Sequence, residues 1–107
     1  MYLVGGYKMT EDQVLEWCKP RGLKPTMGLY MSTVNRYLRN QNIPLRILAC
    51  DYEREPIFLL VTNRKEDPTA TPGRYELFEE SDAARNIKEQ MGIPGVEFIT
   101  VANPYHQ

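Results

Sequence analysis

Residues 55–63 read Glu-Pro-Ile-Phe-Leu-Leu-Val-Thr-Asn, the longest apolar stretch of the chain. Branched and aromatic residues run without a break from Ile57 to Val61, between a proline and an asparagine, and predict a strand buried on both faces. A helix is disfavoured because the run is short and closes on Val61 and Thr62, which suit a pleated surface better. A strand of this kind belongs at the centre of a sheet, and the other segments must cover it.

Those segments can be read in order. Tyr2 to Tyr7 predicts a first strand, in which Gly5 and Gly6 mark a bulge, a strand exit or a close approach of another backbone or a ligand. Thr10 and Gln13 form a capping box, Met9 and Val14 are placed as a hydrophobic staple, and Glu11 and Asp12 suit the positive end of the helix dipole. Val14, Trp17 and Cys18 share one face of that helix, with Trp17 as a core anchor, and Pro20 and Gly22 end it. A second helix starts at Thr26 or Ser32 and carries a stripe of Tyr30, Val34, Tyr37 and Leu38. Its two tyrosines either hold their hydroxyls at the rim of the core or wall a binding pocket.

Leu45 to Asp51 predicts a strand that turns into the 57–63 run as an antiparallel hairpin. Lys65 to Gly73 is a surface loop by composition. Arg74 to Glu79 reads as a short edge strand or an irregular lead-in. Ser81 caps a further helix through Ala84, Ile87 and Met91, with Gly92 past its end. Gly95 to Val101 is the last strand. The tail beyond it carries the one histidine, His106, with nothing to orient it as a base.

The order β-α-(α)-β-β-(β)-α-β predicts one α+β domain over residues 1–107. Its simplest path is a ferredoxin-like split βαβ with an antiparallel sheet and one extra helix. The first and third strands are then central. In the second strand Leu45, Ile47, Ala49 and Asp51 oppose Arg46, Leu48, Cys50 and Tyr52. In the third, Phe58, Leu60 and Thr62 oppose Ile57, Leu59 and Val61. In the last, Glu97, Ile99 and Val101 oppose Val96, Phe98 and Thr100. No register is plainly polar, so the face away from the helices is expected to be covered too. The extra helix around Ser32 to Asn40, a second copy of the chain or an apolar ligand could supply that cover.

The run Tyr2-Leu3-Val4-Gly5-Gly6-Tyr7, followed by Thr10 to Trp17, resembles the first strand and helix of RNA recognition motifs. Asp82-Ala83-Ala84-Arg85-Asn86-Ile87 is similar to that family's second helix. The resemblance implies the same topology. The family stacks bases on third-strand aromatics within a basic-Gly-aromatic pattern. Here the third strand offers Phe58 alone and lacks that pattern, so no RNA-contact residue is carried over.

Charge argues the same way. Thirteen Lys and Arg stand against fourteen Asp and Glu, a formal net charge of −1, which supplies no field for a dedicated nucleic-acid or anionic-membrane binder. No window approaches a membrane span, and the first residues lack a basic region before an apolar run. Cys18 and Cys50 have no metal-site spacing and read as reduced core thiols, so a cytoplasmic protein is expected. No cofactor or metal motif is present. Acidic clusters at Asp51-Glu53-Glu55 and Glu79-Glu80-Asp82 read as a solvated hairpin tip and a helix start. Two functions are expected first. One is a non-catalytic module that forms a homodimer or binds a protein partner through an apolar sheet face. The other is a binder of, or cofactor-free enzyme on, a small apolar or carbonyl ligand. Its pocket would lie between sheet and extra helix; the candidate ligand- or partner-binding residues are Tyr30, Tyr37, Arg46, Tyr52 and Phe58, and an enzyme could be assembled from Tyr30, Tyr37, Arg46, Tyr52 and Asp51. RNA binding ranks third.

Overall fold

The computed structural model describes residues 1–102 apart from Met27, Pro72 and Pro94; the expectation about His106 lies outside the described residues. The chain is α+β. Strands β1 (Tyr2–Met9), β2 (Arg46–Tyr52), β3 (Glu55–Glu66) and β4 (Glu97–Ala102) form an open sheet in the order β2-β3-β1-β4. Every neighbouring pair is antiparallel. Helices α1 (Glu11–Cys18), α2 (Tyr30–Asn40) and α3 (Asp82–Met91) complete it, with a single 3₁₀ turn at Lys19–Arg21. The apolar run thus lies in an inner strand, flanked by β2 and β1. Its Leu59 is fully buried, which stabilises the fold by roughly 2 kcal/mol relative to exposure.

Two glycines fix how β1 meets β3. Gly6 pairs with Val61 and Gly5 with Asn63, so Thr62 is an extra residue on β3. A Cβ on Gly6 would stand 2.0 Å from the Leu60 carbonyl oxygen, so only glycine permits this approach. Beyond the bulge, β3 continues to Glu66 because its polar end still pairs with Tyr2 to Gly5.

The helix ends follow their local chemistry. The Gln13 N–H donates to Thr10 Oγ1 at 3.2 Å, and the Thr10 N–H donates to Gln13 Oε1 at 2.8 Å. The Ala84 N–H donates to Ser81 Oγ at 3.1 Å, and Gly92 closes α3 with a φ of 66°. Helix α2 starts at Tyr30, between the two expected starts. Its N-cap, Leu29, offers no side-chain cap, and Gly28 before it has a φ of 85°.

Two apolar layers flank the sheet. On the helix side Tyr7, Val14, Trp17, Leu38, Ile47 and Leu60 pack together. On the opposite side Val4, Leu48, Cys50, Leu59, Ile99 and Val101 form a second buried cluster, with Tyr2 and Tyr52 against it. Both sheet faces are therefore buried within one chain. The extra helix is not the cover of the second face: Val34 and Leu38 of α2 pack with α1 and Leu60 on the helix side.

Helix α2 instead seals the β2 edge. Asn35 Nδ2 donates to the Ile47 carbonyl at 3.1 Å, and Asn35 Oδ1 accepts the Ile47 N–H at 2.7 Å. The Ala49 N–H donates to Met31 Sδ at 3.0 Å. These groups would otherwise offer a template for another strand. Residues 74–79 do not join the sheet as the edge strand weighed for them. Arg74 pairs with Thr71 in a tight bridge. The Phe78 N–H donates to a side chain, Thr100 Oγ1, at 2.9 Å. The Phe78 ring lies where a Cβ on Gly5 would be, 2.7 Å from one of its carbons. No helix among the described residues is long and apolar enough to cross a membrane.

Candidate functional site

The sheet separates the residues that the sequence singled out. Tyr30, Tyr37 and Phe58 lie on the helix side. The Tyr30 ring centre is 5.4 Å from that of Phe58, and Tyr37 meets Trp17 edge-on at 5.5 Å. The Tyr30 hydroxyl donates to Glu11 Oε1 at 2.7 Å, and that hydrogen bond is the first cause of its raised pKa. Packed rings thus occupy the space between sheet and α2. Arg46 and Tyr52 stand in the alternate register of β2, with Leu48 and Cys50, and belong to the opposite face. Of the five, the structure groups three and leaves Tyr52 at a different place.

That place is a cleft of about 530 Å³ where the β2–β3 turn, β4 and residues 75–78 meet. Tyr52 and Glu53 enter it from the turn, Tyr75 and Leu77 from the loop, and Ile99 and Val101 from β4. The turn is tight because Glu53 and Arg54 both hold left-handed backbone, with φ of 51° and 67°. This is the geometry of a two-residue type I′ hairpin, whose twist matches the strands it joins. Non-glycine residues pay about 1–2 kcal/mol each for that conformation, and such strain gathers at functional places.

The electrostatics of the cleft are one-sided. Its charged lining residues among those described are Asp51, Glu53 and Glu97, all carboxylates. Lys8 stands at its border: its ammonium is 3.4 Å from Glu97 and 5.7 Å from the centre of the Tyr52 ring. Burial raises the Tyr52 pKa first, then the charges of Glu53 and Glu97, with Lys8 opposing them. No family model, curated protein or solved structure matches the chain.

The lining of the cleft suits a ligand of mixed character. Apolar β4 side chains, two phenol rings and carboxylates hold a partly apolar, positively charged group. Burial pushes the Cys50 thiol up to about 11 and raises that of Cys18, so both stay protonated at neutral pH. Among the described residues no group of three His, Cys, Asp or Glu could hold a metal ion.

A second cluster was not anticipated. The fully buried Tyr7 donates its hydroxyl to Glu80 Oε2 at 2.6 Å. Lys88 stands 3.9 Å from the same carboxylate and 5.3 Å from the Tyr7 ring centre, and Arg85 lies 3.9 Å from Glu80 Oε1. Glu80 is thus a tethered, half-buried residue rather than part of a solvated helix start. Its partner is 73 residues away in sequence, so no local pattern announced it. Tyr75 and Glu97 were missed in the cleft for the same reason, and Tyr52 had been expected in a pocket against α2 rather than here.

Proposed function

We propose that this chain is a non-catalytic module, built on the ferredoxin-like plan, that acts by holding a protein partner in the cleft beside β4. The inner placement of the first and third strands supports the plan. The observation that carries the function is the contrast between the two edges of the sheet. Main-chain groups of the β2 edge are engaged by Asn35 and Met31 of α2, while a cleft of about 530 Å³ runs along all six residues of β4. Its phenol rings suit the centre of a protein-recognition surface, and its exposed carboxylates suit the polar rim of one. The apolar residues of the far sheet face are already buried within the chain, so the partner meets the border of that face rather than its middle. A cytoplasmic setting belongs to the same proposal, because both cysteines are buried and unpaired, one on each side of the sheet.

The test is a selection of random displayed peptides against the full chain, followed by amide hydrogen exchange with an enriched peptide. Protection concentrated at β4 and residues 51–53 is the expected result. Protection at α2 instead would move the site to the Tyr30–Phe58 side and favour a small-ligand pocket there. Failure to enrich any peptide, with concentration-dependent dimers in sedimentation, would replace partner binding with self-association.

A further inference from the structure

We infer that the partner places a lysine or arginine side chain in this cleft, between the carboxylates of Glu53 and Glu97 and against the faces of Tyr52 and Tyr75. The inference rests on the binding role proposed above and names the chemistry that this role selects. Three observations carry it.

The first is the sign of the charge. Asp51, Glu53 and Glu97 line the cleft, and no basic residue does so among those described. The chain as a whole is near neutral, at −1, so this is a local field rather than a reflection of composition. A recess lined by one sign of charge concentrates the opposite sign and disfavours the wrong partner. Phosphates and acidic peptides are repelled by the same groups.

The second is that a cation already stands at the border of the recess. Lys8 on β1 lies beside Glu97 and over the Tyr52 ring, at 3.4 and 5.7 Å. One carboxylate and one aromatic face therefore demonstrate the contacts that an incoming ammonium or guanidinium would use. Lys8 leaves Glu53 without an ion pair among the described residues. Tyr75 lines the same cleft as Tyr52.

The third is the shape of the remainder. Ile99, Val101 and Leu77 give the cleft an aliphatic part beside the charged part. A long basic side chain matches both, since its methylene stem packs on apolar surface while its head stays with the carboxylates. A small inorganic cation would leave the apolar part unused.

The peptides enriched on the full chain decide the matter. They are expected to carry a lysine or arginine, and glutamine in its place should weaken binding by about tenfold. Glu53→Gln should weaken the basic peptide and leave its glutamine version unchanged, with circular dichroism confirming the fold. Raising salt should slow association of the basic peptide alone. Enrichment of neutral or acidic peptides, or equal loss of both peptides on Glu53→Gln, would overturn the basic partner while leaving the binding module in place. Failure to enrich any peptide would overturn both.

Discussion

The hydroxyl of Tyr7, at the centre of the sheet, donates to the carboxylate of Glu80 just ahead of α3 at 2.6 Å. The contact joins β1 to the segment that forms the outer wall of the cleft. Together with the bond from Phe78 to Thr100, it holds that segment against the sheet without any strand pairing.

Tyr7→Phe should therefore cost about 1–3 kcal/mol, the value of a charge-assisted hydrogen bond, while Lys88 and Arg85 still solvate Glu80. Urea denaturation measures the loss. Limited proteolysis should show faster cleavage between residues 74 and 80 in the variant. An unchanged urea midpoint together with an unchanged cleavage pattern would refute the tether.

Gly5 and Gly6 should respond differently to alanine. Gly6→Ala drives a Cβ into the Leu60 carbonyl, a backbone atom that moves only with β3, and the variant should fail to fold. Gly5→Ala meets the Phe78 ring, which can swing away, so a loss of roughly 1–3 kcal/mol from overpacking is expected. Circular dichroism of the two purified variants separates the outcomes.

Asn35→Ala removes both partners of the Ile47 main chain at once. The expected cost is about 1–3 kcal/mol in denaturation, because Ile47 is buried and water reaches its amide poorly. The freed edge should also make the variant aggregate faster at high concentration, seen by light scattering. A variant as stable and as monodisperse as the parent would mean that α2 does not seal that edge.

Stability should fall in alkali. The Cys50 thiol titrates at about 11 in the folded chain against 9.0 as its ordinary value, chiefly because burial disfavours the thiolate. A raised folded pKa gives stability that is complete below the unfolded value and is lost as pH rises between the two. The two-unit gap corresponds to roughly 2–3 kcal/mol lost between pH 9 and 11. Tyr7, also raised by burial and by Glu80, should add a loss that begins near its ordinary value of 10.0. Urea midpoints measured from pH 7 to 11 test this, and Cys50→Ala should flatten the early part of the fall.

Much of the fold was legible because its signals are local. Thr10 and Gln13 cap α1 as their spacing implied, Ser81 and Gly92 bound α3, and Ile57 to Val61 occupy an inner strand. The registers of β2, β3 and β4 correctly implied two buried faces. They could not say which element covers which, and α2 joined the side already occupied by α1. The start of α2 was blurred because Leu29 caps with no side chain. Tyr52 was singled out for a pocket between the sheet and α2, and it lies instead on the opposite face, in the cleft beside β4. Its other walls come from a loop with no periodicity and from β4, and only the chain path brings Tyr75 to Ile99.

The sealing of β2 sets the valence of the module. An antiparallel sheet has two ends at which it can grow, and Asn35 and Met31 occupy one of them with side chains that cannot be extended. A strand approaching the β2 end would find the Ile47 N–H and C=O and the Ala49 N–H already engaged, which opposes growth of the sheet in that direction.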